Sequence, residues 1–212
     1  MKKYELTGEC KVYFGVTLRR IKSLIDFSDV KKGELGGFIE KEENLSHGGD
    51  AWVYGNARVS GNARVSGDAW VYGNARVSGN ARVYDDARVS GNARVSGNAR
   101  VSGNARVYGD ARVSSNARVS GNARVYDDAR VSGDARVSGN ADYVLIGRIG
   151  SRFGFTTFFR NKNNEIYVSC GCFLGTLAKF RKKVKETHGT DTKYAKMYQA
   201  AADLAEMQIL NK

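Results

Sequence analysis

The chain has 212 residues, 34 Lys and Arg against 22 Asp and Glu for a formal charge of +12, 42% hydrophobic residues and no proline. That hydrophobic share excludes a wholly disordered chain. No apolar run reaches the ~18 residues of a membrane helix, and the start, Met1-Lys2-Lys3-Tyr4-Glu5, lacks the apolar core of a signal peptide. Three cysteines, an odd number, argue against a disulfide framework and for a reducing compartment, so a cytoplasmic protein with no membrane contact is expected. The charge is uneven. Basic and acidic groups number 9 and 8 in residues 1–49, 13 and 9 in 50–142, and 12 and 5 in 143–212, or +1, +4 and +7. A basic balance of this kind favours anionic partners.

Residues 1–50 read as a β lead-in and cap. Tyr4 to Leu6, Cys10 to Phe14 and Val16 to Leu24 are rich in branched and aromatic residues, as strands are. Gly33-Glu34-Leu35-Gly36-Gly37 reads as a turn. Beyond it the chain enters the six-residue phase of the following segment, with Ile39 and Leu45 at alanine positions and Asn44 at a turn position. An irregular first coil of this kind would hide the end of a solenoid core.

From Ala51 to Ala141 one phrase recurs, as in Gly61-Asn62-Ala63-Arg64-Val65-Ser66. Alanine returns at every sixth position and valine at every sixth from Val53 to Val137. Such a period fixes the architecture. Ala and Val, two apart, share the inner face of a short strand, while Arg and Ser or Tyr point out. The Gly-Asn or Asp-Asp pair tolerates positive φ and makes a corner. Substitutions also respect 18 residues: Tyr54, Tyr72, Tyr108 and Tyr126 stand at multiples of 18, as do Trp52 and Trp70, and Asp50, Asp68 and Asp86. Only Tyr84 stands off the tyrosine column. Three units therefore make one turn. Arginines stacked in columns repel by about 0.9 kcal/mol per neighbouring pair in water, and Asp86 and Asp128 are placed to offset part of it.

This repeat resembles the hexapeptide-repeat proteins that form left-handed parallel β-helices, in its inward aliphatic residue and the small residue two before it. It departs from them in having Ser or Tyr directly after the aliphatic. The wording of the units, with Gly36-Gly37-Phe38-Ile39-Glu40 and Glu43-Asn44-Leu45-Ser46 ahead of them, also resembles phage and prophage proteins of this type. The fold implied is mainly β, a left-handed, three-sided parallel β-helix of 18 residues per coil, with a small C-terminal α+β domain. The resemblance also implies a homotrimer. The outward stack of Trp52, Tyr54, Trp70 and Tyr72 is the expected oligomer interface. Acyltransferases of the resembled class need a histidine base, and residues 51–141 contain none. The chain is therefore read as a non-enzyme, with no catalytic residues, cofactor or metal.

Residues 142–212 break the period. Tyr143 to Ile149, Phe155 to Arg160 and Glu165 to Cys170 read as three strands, the last two joined by Asn161-Lys162-Asn163-Asn164. Gly171 and Gly175 flank a turn, and Thr176 caps a helix whose inner stripe is Leu177, Phe180 and Val184 and which Gly189 ends. Lys179, Arg181, Lys182, Lys183 and Lys185 cover its outer side. Thr190 or Asp191 starts a second helix with Tyr194, Met197, Ala201, Leu204 and Ile209 inward. Arg148, Ser151 and Arg152 surround a Gly-rich loop, and Thr156, Thr157 and Arg160 follow on the next strand. Arginine forks, hydroxyls and loop amides suit a phosphate or carboxylate, so these six are the expected ligand-binding residues. Cys170-Gly171-Cys172 lacks the spacing of a zinc site.

The functional expectation is a phage-type binding protein. Its scaffold would present a basic C-terminal domain that captures an anionic small molecule such as a host-defence nucleotide, or that blocks a host defence protein. The alternatives are a structural or polymer-forming phage component and a nucleic-acid-binding protein working through the basic helix.

Overall fold

The computed structural model describes residues 1–210. Two long antiparallel strands, β1 (Tyr4–Tyr13) and β2 (Val16–Ser23), lead into β3 (Leu35–Ile39). Fifteen two-residue strands follow, from β4 (Trp52–Val53) to β18 (Arg136–Val137), each an Arg-Val or Trp-Val pair. They stack in parallel as three ladders with a register of 18, as in Arg76↔Arg94 and Val77↔Val95. The longest ladder carries six stacked strands from β3 downward, so the solenoid makes about six turns.

The repeat chemistry produces this directly. Every alanine from Ala51 to Ala135 and every valine from Val53 to Val137 is buried, forming one continuous core. From Arg58 to Arg118 each arginine amide donates to an alanine carbonyl of the next coil, as Arg58 does to Ala75 at 2.9 Å. Corners hold glycines near φ +65°, where a side chain is strained. Asp85, Ser115 and Asp127 occupy the same corner position with φ of 57°, 59° and 51°. Corner asparagines form amide ladders, Asn62 to Asn80 to Asn98 to Asn116.

All amides in a ladder point the same way, so the two ends need opposite partners. The first coil leaves carbonyls over. Phe38 and Glu40 donate their amides to Ala57 and Val59, and the Asn44 amide group donates to Gly61 and Ala63 at 3.1 and 2.8 Å. The Lys3 ammonium donates to Gly49 and Ala51 at 2.8 and 2.7 Å. The last coil leaves N–H groups over. Arg124 donates to the Asn140 side chain and Arg130 to the Thr157 hydroxyl, both at 2.9 Å. Asp142 accepts from the Ser138 and Gly139 amides at 2.8 and 3.0 Å.

The cap differs from the sequence reading in its phase. Ile39 pairs with Val59, and Leu45 bridges Val65, a register of 20. Both therefore extend valine columns rather than alanine positions, and Asn44 is a buried staple rather than a corner residue. The return to 18 comes after Leu45, across the bend at 47–50, since Trp52 already pairs with Trp70. Gly36 and Gly37 lie inside β3, not in a turn. A Cβ on Gly36 would meet the Ile21 side chain, the Val53 carbonyl and the Trp52 ring at 2.5–2.7 Å, so the strand needs glycine to seat on the coil.

At the far end β19 (Tyr143–Ile149), β20 (Gly154–Arg160), β21 (Ile166–Cys170) and β22 (Phe173–Thr176) form an antiparallel sheet in chain order. The fourth strand takes the place of the expected turn between Gly171 and Gly175, because Phe173 to Thr176 pairs back onto β21. Phe159 and Tyr143 plug the solenoid core. Helices α1 (Leu177–His188) and α2 (Lys193–Leu210) pack on the sheet over a second core that includes Phe158, Val168, Phe180 and Ala202. The Thr176 hydroxyl caps α1 as expected. The second helix starts later than expected, its Ala195 amide bonded to the Thr192 hydroxyl. Leu204 is half-exposed rather than inward.

Among the described residues none of the thirteen repeat arginines forms a direct ion pair, with Asp86, Asp128 or any other carboxylate.

Candidate functional site

The C-terminal domain encloses a hollow of about 570 Å³ between the β19–β20 loop, the β21–β22 turn and the two helices. Phe155, Phe173, Phe180 and Val184 supply apolar surface, and Ser151, Arg152, Lys183 and His188 supply polar and cationic groups. Helix geometry explains why α1 contributes so much. Phe180, Lys183, Val184, Thr187 and His188 stand at i, i+3, i+4, i+7 and i+8, one stripe of the helix. The loop is held from behind: Gly150 has φ +73°, and a Cβ there would collide with the Tyr198 hydroxyl.

Tyr198 also lines the hollow. Its ring packs edge-on to Phe180 at 5.6 Å and stacks with His188 at 5.7 Å. Burial, and then the neighbouring Cys170 thiol, push its hydroxyl up to about 12, while Arg152 pulls the other way. The Thr156 hydroxyl donates to Cys170 Sγ at 3.2 Å, and that thiol lies 4.0 Å from the Tyr198 oxygen. The site thus holds hydroxyl and thiol groups beside aromatic rings, with a cationic rim.

The six expected ligand residues divide. Ser151 and Arg152 line the hollow and are exposed. Arg148 is exposed, with φ of 49°, and lies outside its lining. Thr156 and Thr157 are buried and turned to structural partners, Cys170 and the Arg130 amide. Arg160 is engaged by Asp142 at 3.1 Å, by the Asn164 side chain and by the Ile209 carbonyl. A strand alternates its faces, so consecutive Thr156 and Thr157 face opposite cores rather than one ligand. Lys183, His188 and Tyr198 escaped the sequence reading as site residues; the i, i+3, i+4 spacing across Phe180 to His188 was the available signal.

The expected oligomer face changes too. Trp52 is fully buried under the cap, edge-on to Phe27 at 5.3 Å and to Tyr4 at 6.2 Å, and so cannot meet another subunit. Tyr54, Trp70 and Tyr72 line a shallow hollow of about 290 Å³ with Asp29 and Arg88. Among the described residues no group of three or more His, Cys, Asp or Glu is placed to hold a metal ion, and no helix is long and apolar enough to cross a membrane.

His47 lies in the cap, against the Lys3 backbone. Its Nδ1 accepts the Lys3 amide at 3.2 Å, which places the proton of a neutral ring on Nε2. Nε2 is therefore the donor nitrogen, and it faces the Glu42 carboxylate at 3.9 Å.

Fold and site together define a repeat β-solenoid that carries a small α+β domain with a basic, aromatic-lined hollow. Its repeat residues match the family model described as YdcK Beta solenoid repeat, in overlapping stretches from 51–67 to 129–141. The chain is also 35% identical, over 82 residues, to a protein of Escherichia coli (strain K12) named “Uncharacterized acetyltransferase YdcK”. That alignment covers 32% of this chain and spans about a quarter of the relative's length, 25%. Both matches support a repeat β-helix protein. They carry no evidence of phage origin, and the relative's name lends no support to the expectation of a non-enzyme.

Proposed function

We propose that the C-terminal hollow binds a small anion that carries an apolar or aromatic body, and that the solenoid serves as its rigid support. The carrying observation is the lining itself, in which Arg152, Lys183 and His188 surround Phe155, Phe173 and Phe180. Guanidinium and ammonium groups recognise phosphate or carboxylate, and a mostly apolar hollow of this size suits a small ligand. A nucleotide meets that description. In a phage-borne chain such capture would withdraw a host-defence signal from solution, a use that rests on the sequence resemblance alone.

Native mass spectrometry of protein purified from bacterial lysate tests this reading. The intact chain should carry a co-purifying small anion that the double variant Arg152→Gln, Lys183→Gln loses. Retention of the same mass by the double variant would overturn it.

A second reading, acyl transfer, is favoured by the name of the Escherichia coli relative. His188 beside Tyr198 would be the base nearest a bound substrate. Release of free thiol from acetyl-CoA by the intact chain, abolished in His188→Gln, would move the assignment to this reading.

The three ladders and the 18-residue register support a three-sided coil, and the hexapeptide resemblance supports a left-handed one. We further propose that Tyr54, Trp70 and Tyr72 form the contact between copies in a homotrimer. Sedimentation of Tyr72→Arg as a monomer, against a trimer for the parent, checks this.

A further inference from the structure

A hollow of about 770 Å³ lies away from the site above, where the cap loop Glu42 to His47 meets the ladder of Arg64, Arg82 and Arg100. We infer that it is a second binding site, for a nucleoside diphosphate or triphosphate.

The argument starts from where the repeat breaks its own rule. In this ladder the residue after valine is Ser66, Tyr84, Ser102, Ser120 and Ser138, and the corner residue beyond it is Gly67, Asp85, Gly103, Gly121 and Gly139. Tyr84 and Asp85 are the two departures, they are adjacent, and both line the hollow. Asp85 sits at φ 57°, where glycine is the unstrained choice. Its carboxylate is fixed by the Gly103 amide at 3.0 Å. His47, outside the repeat, lines the same hollow. With Nδ1 occupied by the Lys3 amide and the ring stacked on Tyr4 at 4.4 Å, its Nε2 is turned to the Glu42 carboxylate at 3.9 Å, which ties the cap wall of the hollow together.

Arg64, Arg82 and Arg100 lie on successive strands, so their guanidinium stems repeat at ~4.8 Å. All three are exposed, and none has an ion-pair partner among the described residues. Glu42, Glu43 and Asp85 share the hollow without pairing directly with these arginines, and a row of forks at this pitch matches a chain of linked phosphates better than a single carboxylate. Tyr84 offers the aromatic surface on which a base can stack. Glu42 and Glu43 at the cap side accept hydrogen bonds from sugar hydroxyls; Glu42 is already steadied by Lys2 at 2.9 Å. Phosphate, base and sugar each find one chemically suited partner, in a site concave enough to hold them.

The test is titration calorimetry of the full chain with adenosine diphosphate and, separately, inorganic pyrophosphate. Arg82→Gln should weaken both by about tenfold or more. Tyr84→Ser restores the ladder's own residue and should fold unaided. It should weaken the nucleotide by about tenfold and leave pyrophosphate within about twofold. Arg118→Gln, in the same ladder but outside the hollow, should leave both unchanged, and the losses in Arg82→Gln and Tyr84→Ser should persist when they are made in the Arg152→Gln, Lys183→Gln background, which separates this site from the C-terminal one. Failure of the parent chain to bind either probe would overturn the inference. Equal losses in Arg82→Gln and Arg118→Gln would overturn it too, by showing diffuse attraction to the ladder.

Discussion

Arg130 donates its amide to the Thr157 hydroxyl at 2.9 Å, in the place where Arg112, one coil earlier in the same ladder, finds the carbonyl of Ala129 at 2.8 Å. The side chain of a new strand thus stands in for a missing coil. A parallel ladder cannot end without leaving one kind of backbone group unpaired, and an unpaired buried amide costs about 1–3 kcal/mol. Thr157→Val keeps the shape and removes the acceptor, so it should lower the unfolding free energy by about that amount. Thr157→Ser should recover most of it. Urea denaturation reads both, and ligand retention should be unmoved by either.

Lys3 is buried at the opposite end, and that burial lowers its pKa from 10.5 to about 8, against the opposing pull of Asp50 and Asp68. Between those two values the unfolded chain binds a proton that the folded chain has released, so stability should rise with pH from about 8 toward 10.5. Below that window both states are protonated, and the cost of the buried ammonium is present in full. Tyr4 and Tyr143 act in the opposite sense. Burial raises both above the ordinary 10.0, so the folded chain keeps protons that the unfolded chain loses, and stability should fall above about pH 10. Thermal melts across this range should pass through a maximum near the crossover. Lys3→Met should flatten the rising limb and leave the falling one.

The corner column gives a pair of opposite expectations. A Cβ on Gly91 would lie 2.9 Å from the Gly109 amide nitrogen, in a residue already at φ +66°. Gly91→Ala should therefore cost about 1–3 kcal/mol. Ser115 occupies the equivalent corner at φ 59°. Ser115→Gly relieves that strain and should gain up to about 1 kcal/mol, net of the entropy that glycine adds to the unfolded chain. Chemical denaturation of the two variants beside the parent decides it.

The sequence made the solenoid legible because its inner positions tolerate so little: each coil needs Ala and Val inward and a positive-φ residue at the corner. The 18-residue register was legible because tyrosine, tryptophan and aspartate columns respect the stack rather than the bare hexad. The ends were not. The change from a register of 20 at Ile39 and Leu45 to 18 at Trp52 is made by two extra residues in the bend at 47–50, and nothing in the hexad phase encodes that bend. Trp52 carries the same local signal as Trp70, and only the cap above it decides that one is buried and the other partly open. The candidate site was half legible. Ser151 and Arg152 stood out as exposed loop chemistry, whereas Lys183 and His188 join them through the packing of α1 on the sheet.

Asp142 and Arg160 carry the last expectation, because they decide whether that arginine serves a ligand or the fold. The Asp142 carboxylate is buried, accepts the Ser138 and Gly139 amides and the Ser138 hydroxyl, and meets Arg160 Nε at 3.1 Å. Removing one partner of a buried charge pair leaves the other poorly compensated, at a cost of about 3–5 kcal/mol. Some of that is recovered here because three further donors remain on Asp142. Arg160→Ala should accordingly destabilise the chain by about 2–4 kcal/mol. Arg160→Lys should recover only part, since an ammonium cannot reproduce the guanidinium's simultaneous bonds to Asp142, Asn164 and the Ile209 carbonyl. Arg152→Ala, exposed at the hollow, should change stability by less than about 0.5 kcal/mol. Urea melts of the three variants separate the roles. A neutral Arg160→Ala would return that residue to the list of ligand contacts, and a costly Arg152→Ala would remove Arg152 from it.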